Sequence, residues 1–264
     1  MTQRTTHEPG SVTTQVADGV GSVTFGHPKG NSLPGTLLAE LAARITALGQ
    51  EPGARVIVLR SEGAGAFCAG ASFAELSAIA DAESGTRFFL GFANLINAMR
   101  ECPKLILARV HGKTVGGGVG MVAASDYALA TPAAQVKLSE LAVGIGPFVV
   151  GPVIERRIGV GNYAALGIDA AEWRSAEWAH QRGLYAELKP DGAALDARLA
   201  ALARQLAGSN PEAMTAMKRV FWQGTEHWQE MLAERARLSG TLVMSDFARQ
   251  AIERLSGRRG PKLR

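Results

Sequence analysis

Two segments of the chain carry residue types whose spacing can do chemistry. The first is Phe67-Cys68-Ala69-Gly70-Ala71-Ser72 and the second is Val115-Gly116-Gly117-Gly118-Val119-Gly120-Met121. Each follows an apolar, strand-like run and leads into a helix-like one. Amides at the start of a helix have no acceptor inside it, so they point outward as donors, and the helix dipole adds partial positive charge there. Two such turns side by side offer two N–H groups to one oxygen. Acyl chemistry needs that arrangement when a thioester carbonyl becomes an enolate. Glycine permits the close backbone approach and the positive φ that such turns use.

Glycine-rich strand-to-helix turns serve other ligands as well. Gly118-Val119-Gly120-Met121-Val122-Ala123 and Gly159-Val160-Gly161-Asn162-Tyr163-Ala164 are loose matches to the dinucleotide pattern GxGxxA. The first has an acidic residue, Glu140, about 20 positions on, where a ribose-binding carboxylate belongs. The second lies in a helical stretch with no strand before it and is set aside. A phosphate-binding P-loop is excluded: Gly112-Lys113-Thr114 supplies the end of that motif, but Leu107 stands where its first glycine is required. A tight turn without a ligand is the remaining reading of both segments.

The elements that must position these turns follow from periodicity. Residues 12–16 and 21–25 read as strands around Ala17-Asp18-Gly19, a hairpin signal. Residues 36–48 have helical spacing and end near Gly49. Residues 55–60 and 105–110 are aliphatic runs of the kind buried strands show. The first leads through the loop 61–70 into a short helix at 73–79, and a long helical pattern covers 85–100. After the second glycine segment, 121–124 continue as helix, and 127–130 and 136–138 read as short strands. From about residue 149 onward the pattern is helical: 151–158, 162–166, 172–181, 192–206, 211–224, 227–239 and 245–255. Alternation followed by helices predicts an α/β core with a helical C-terminal region and no strong linker between them.

Composition fits this organisation. Of 264 residues 47% are hydrophobic, enough for one sizeable core, and 20% are charged, which argues against gross disorder. The opening segment is polar and has no apolar signal-peptide core, and no apolar run reaches the ~18 residues of a membrane span. Cys68 and Cys102 therefore read as buried reduced thiols, and the protein is expected to be cytoplasmic. The net charge of +4 includes Arg254, Arg258, Arg259, Lys262 and Arg264 near the end. Without a long basic block or interleaved aromatics it does not point to nucleic acid; it suits plain solubility or a phosphate-bearing ligand equally.

Several segments together resemble the enoyl-CoA hydratase/isomerase (crotonase) superfamily. They are Gly30-Asn31-Ser32-Leu33, Phe67-Cys68-Ala69-Gly70-Ala71, Val115 through Gly120, Ser139-Glu140-Leu141 with Gly144-Ile145-Gly146-Pro147, and Ser245-Asp246-Phe247-Ala248-Arg249, in the family's order and spacing. The resemblance covers roughly residues 12 to 262. It implies a spiral of ββα units over residues 1–195 and a helical trimerisation region over 196–264, assembled as a homotrimer or a dimer of trimers. It implies an acyl-CoA substrate, with coenzyme A present only as part of that substrate and with no metal or redox cofactor. It also implies that the amides of Ala71 and Gly117 form an oxyanion hole, with Ala69, Gly70, Ser72, Gly116, Pro147 and Phe148 around the substrate.

Family hydratases use two glutamates. Glu140 matches the second and is the catalytic acid/base the resemblance implies, whereas Gly120 stands where the first belongs. A single carboxylate can still move one proton between two carbons, as double-bond isomerisation requires. Hydration and isomerisation therefore both stay open, beside a non-catalytic CoA-binding member and a dinucleotide-dependent oxidoreductase. Other polar residues have plainer readings. Glu75 reads as a solvated helix face, Asp126 as a structural group bonding loop amides, Ser72 as a helix N-cap, and His111 as a hydrogen-bonded, partly buried histidine. No GxSxG elbow marks a nucleophilic serine.

Overall fold

The computed structural model describes residues 10–257. Strands β1 (Ser11–Ala17) and β2 (Val20–Gly26) form an antiparallel hairpin. Asp18 and Gly19 sit at φ 51° and 77°, the left-handed pair that a two-residue turn with the right twist requires. Helix α1 (Gly35–Gln50) follows, then β3 (Val56–Ser61), the short α2 (Phe73–Ser77), the long α3 (Ala82–Glu101) and β4 (Ile106–Val110). Next come β5 (Thr114–Val115), α4 (Gly117–Ala124), β6 (Tyr127–Ala130), β7 (Val136–Lys137) and a 3-10 turn at Leu141–Val143. The second half holds α5 (Gly151–Ile158), α6 (Val160–Ile168), α7 (Ala176–Gln181), β8 (Glu187–Leu188), α8 (Gly192–Ala207), α9 (Pro211–Phe221), α10 (Trp228–Leu242) and α11 (Asp246–Gly257). The basic residues 258–264 and the polar opening residues 1–9 lie outside the described residues.

The main sheet has the order β1-β2-β3-β4-β6-β8 and is parallel from β2 onward; β5 and β7 make a separate parallel pair. The period of two along β3 divides the core. Ile57 and Leu59 pack with Leu41 and Ile45 of α1 and Leu95, Ile96 and Met99 of α3. Val56 and Val58 face the other way, onto Leu195, Leu199 and Ala203 of α8. A strand covered on both faces has to be apolar throughout, which is why this run was legible as buried strand.

The helices after α8 fold back onto the earlier chain. Gly85 of α3 and Gly240 of α10 meet so closely that a methyl built on Gly85 would lie 3.0 Å from the Gly240 Cα. The buried pair of Lys218 in α9 and Asp126, at 2.9 Å, ties α9 to the sheet; Asp126 also accepts the Ile106 amide at 2.7 Å. Residue 195, expected to end the core, lies within α8 on the sheet.

Several boundaries differ from the periodicity. The helix expected at 172–181 starts only at Ala176, because Arg174 pairs with Val136 and Ser175 caps the helix through the Trp178 amide. The helix expected at 121–124 begins earlier, at Gly117, and that at 162–166 extends to Val160–Ile168. The two-residue strands β5 and β8 are too short to leave a pattern.

Candidate active site

The first glycine segment is held between two neighbours. Asn31, itself at φ 56°, donates from Nδ2 to the carbonyls of Glu62 and Ala66, both at 2.9 Å, and so fixes the loop leaving β3. Further along, the Leu33 amide donates to the Gly70 carbonyl at 2.8 Å and the Ser72 amide to the Leu33 carbonyl at 3.1 Å. This is a parallel bridge between Leu33 and Ala71. In such a bridge the N–H and C=O of Ala71 itself point away from Leu33. On the far side the Val115 amide donates to the Cys68 carbonyl at 2.9 Å, which sets the second glycine segment against the first. Gly70 has φ 86°, and a methyl built on it would lie 3.1 Å from the Val115 carbonyl oxygen and 3.9 Å from the Gly117 nitrogen. The structure thus brings together the two segments that carry Ala71 and Gly117.

Gly117 is the first residue of α4, so its amide has no acceptor within the helix. Its own Cα rests on the Phe92 ring, which fills the space a side chain would need. The preceding residue, Gly116, has φ 54° and ψ −118°. A methyl on Gly116 would lie 3.0 Å from Glu140 Oε1 and 3.8 Å from Oε2. The carboxyl of Glu140 therefore lies directly against the start of α4.

Glu140 sits at the turn after β7, where its carbonyl accepts the amides of Val143 and Ile145 at 3.1 and 3.0 Å. The residue keeps some accessible surface, yet Oε2 is buried and has no hydrogen-bond partner. Burial pushes its pKa from the ordinary 4.5 up to about 7, against a weaker lowering by hydrogen bonds from the Glu140 and Ser139 backbone. A carboxyl poised near neutrality, with one oxygen unused, suits proton transfer.

Gly120 lies in the first turn of α4, and its amide donates to the Gly116 carbonyl at 3.3 Å. A methyl there would lie 2.6 Å from Val150 Cγ1, 2.8 Å from Val150 Cβ and 3.6 Å from Ile96 Cδ1. Val150 is 3% exposed and Ile96 0%. The place where a first glutamate would begin is thus filled by hydrocarbon from the residue preceding α5 and from α3. Sequence reasoning singled out Gly120 but had no local signal for Val150, which reaches it from another element.

The remaining expected residues are placed as follows. Ser72 caps α2 by accepting the Glu75 amide, Ala69 is exposed, and the Phe148 ring folds over Gly146. The Pro147 carbonyl accepts the Tyr163 hydroxyl at 3.2 Å. Tyr163, absent from the sequence-based candidates, is seated where Gly151 lacks a side chain; burial raises its phenol pKa, with Arg235 opposing and Glu140 adding. Above the Glu140 turn, α11 packs against the 3-10 turn and α2, with Ile252, Val243 and Ile145 in one apolar cluster joined by Leu76, Ile79 and Phe89. An open cleft of about 460 Å³, lined in part by His27, Gly30, Asn31, Glu62 and Ala66, lies on the outer side of the first loop.

Glu75 is a correction. It is no solvated face: its Oε2 accepts the Gly35 amide at 2.9 Å and so caps α1, whose own N-cap position is Pro34. Asp126 is structural but bonds a strand amide, Lys218 and the Trp222 indole rather than loop amides. His111 belongs to a different group, with Arg109, Asp196 and Arg60, and burial lowers its pKa; contrary to expectation, both ring nitrogens are buried without a hydrogen-bond partner. Cys68 and Cys102 are buried free thiols, and burial raises Cys68 to about 12. Among the described residues no helix is long and apolar enough to cross a membrane, and no group of three or more His, Cys, Asp or Glu is placed to hold a metal ion.

This arrangement of a mixed sheet, paired glycine turns and returning helices is the crotonase fold. It superposes on an enoyl-CoA hydratase from Bacillus halodurans with a TM-score of 0.84 and 20% identity, covering 92% of this chain and 99% of the other. The sequence is 26% identical over 247 residues to a "Probable enoyl-CoA hydratase" of Bacillus subtilis, covering 93% of this chain and 95% of the relative. It is 32% identical over 169 residues to the mitochondrial 3-hydroxyisobutyryl-CoA hydrolase of Gallus gallus, covering 61% of this chain and 43% of that protein. The enoyl-CoA hydratase/isomerase family model matches residues 15–261. The chain belongs to the enoyl-CoA hydratase/isomerase family.

Proposed function

We propose that the protein isomerises the double bond of an enoyl-CoA thioester, with Glu140 as the only acid/base group and the amides of Ala71 and Gly117 as the oxyanion hole. The observation that carries this reading is the Glu140 carboxyl: buried, without a partner on Oε2, held near neutrality and pressed against the start of α4. The acyl-CoA substrate class comes from the family and its relatives. The cleft beside the first loop supplies an approach for the CoA portion, and the apolar cluster under α11 supplies walls for the acyl portion.

The chemistry balances on this chain's groups alone. In a β,γ-unsaturated thioester the α C–H bond breaks and its proton passes to a Glu140 oxygen. The electron pair moves into the thioester, whose oxygen gains charge and is held by the two N–H groups. Glu140 then returns the proton to the γ-carbon, and the double bond comes to rest in conjugation with the carbonyl. One carboxylate suffices because one proton leaves and one returns. Hydration is the second reading. It has the family's name behind it, but it needs a second group to hold water, and Gly120 provides none.

Incubation with a 3-enoyl-CoA, followed through the absorbance of the conjugated thioester, tests the proposal. Wild type should produce the conjugated product, and Glu140→Gln should lose at least about a hundredfold in rate while still binding CoA in calorimetry. Equal turnover by wild type and Glu140→Gln would remove Glu140 from the mechanism. Heat on titration with NADH would favour the dinucleotide reading instead.

A further inference from the structure

We infer that Val150 is a specificity-determining residue of this site: its side chain occupies the position a second carboxylate would take at residue 120 and keeps water out of that space. The inference rests on the assignment of Glu140 as the proton carrier and names what restricts that carrier to one kind of reaction.

The argument is geometric. Gly116 is the N-cap of α4 and its carbonyl accepts the Gly120 amide at 3.3 Å, so the two lie one turn apart, and Gly116 is the residue against which the Glu140 carboxyl lies. A side chain at 120 would therefore start one turn from the residue that Glu140 touches. Val150 blocks that start, with Cγ1 2.6 Å and Cβ 2.8 Å from the first carbon of any such side chain, and Ile96 closes the flank at 3.6 Å. Nothing in this contact is the tip of a long, adaptable side chain. Val150 is β-branched, with few χ1 choices, and is buried at the N-cap of α5, so making room at 120 requires repacking around it.

Loss of the carboxylate alone would leave a hole the size of a side chain, which water could enter and use. The structure shows the hole filled by methyl groups that offer water no hydrogen bond, and a water needs two or more polar partners to stay in such a place. Glycine at 120 and valine at 150 thus act as a pair. The first removes the group that would activate water, and the second removes the room.

Two variants and one control test this. Purified Val150→Ala and the double variant Gly120→Glu/Val150→Gly are assayed against wild type for hydration of crotonyl-CoA and for isomerisation of a 3-enoyl-CoA. The readout is the ratio of the two rates, and melting curves identify any variant that has not folded. Wild type should isomerise with little hydration. The ratio of hydration to isomerisation should rise at least about threefold in Val150→Ala and about tenfold or more in the double variant. Val150→Ile, which keeps the space filled, should leave it within about twofold.

A ratio that stays within about twofold in every folded variant overturns the inference, as does a wild-type protein that hydrates as fast as it isomerises. In both cases loss of activity in Glu140→Gln would leave the role of Glu140 standing. A wild type inert to both substrates, with Glu140→Gln indistinguishable from it, instead overturns the reading of Glu140, and the role of Val150 falls with it.

Discussion

Replacing Glu140 by glutamine should make the protein more stable at alkaline pH, and the size of the effect follows from burial. Burial raises the Glu140 pKa from 4.5 to about 7 in the folded chain. Between those values the native state holds a proton that the unfolded chain has released, so unfolding becomes easier as pH rises. The stability that the protonated carboxyl retains is fully present below pH 4.5 and is lost as pH climbs through about 7. At about 1.4 kcal/mol for each tenfold in proton affinity, the loss across that window comes to about 3 kcal/mol.

Glutamine cannot ionise, so the variant should escape this loss. Urea unfolding of wild type and Glu140→Gln at pH 5 and pH 8 measures it. The variant's advantage should grow by about 2–3 kcal/mol between the two, since part of the loss has already occurred at pH 5. On the proposed mechanism the same group acts on activity in the opposite sense: a base must be ionised, so the free enzyme's kcat/KM should rise with pH to a plateau with a midpoint near 7. A stability difference that does not change between pH 5 and pH 8 would show that the carboxyl is solvated, and the reasoning about its poise would fail.

Gly116→Ala places a methyl 3.0 Å from Glu140 Oε1 at a residue with φ 54°, so kcat should fall about a hundredfold in a protein that still folds, as steady-state kinetics beside a melting curve will show. Lys218→Met leaves the Asp126 carboxylate buried without its cation and should cost about 3 kcal/mol or more in urea unfolding, with the double variant Lys218→Met/Asp126→Asn costing less than the single one. Asn31→Ala removes both bonds to the Glu62 and Ala66 carbonyls and should lower stability by about 1–3 kcal/mol and reduce kcat, because the loop they hold leads to Ala71.

The strands of the sheet could be read because each carries its own signal. β3 is aliphatic along its length because both its faces are covered, and the hairpin turn is marked by Asp18-Gly19, where positive φ is needed. The two glycine segments were legible for the same reason: the close approach of Gly70 to Val115, and of Gly117 to Phe92, excludes any side chain. Glu75 was misread because its surroundings are not local. Its partner is the Gly35 amide on another helix, and nothing near residue 75 signals that a helix elsewhere lacks its own cap. The start of α7 was misplaced because Arg174 answers to Val136, a strand far back in the chain.

Sequence alone determined the order of the longer elements and the two glycine turns, since those properties are written in backbone preference and in the period of apolar residues; Glu140 was singled out by the family resemblance. Only the tertiary structure decided how that glutamate behaves. Its raised pKa comes from burial, its neighbour Gly116 from the packing of one turn on another, and the apolar wall at Gly120 from Val150 at the head of a separate helix. Burial and contact are properties of residues far apart in the chain, so they come into being only when the chain has folded.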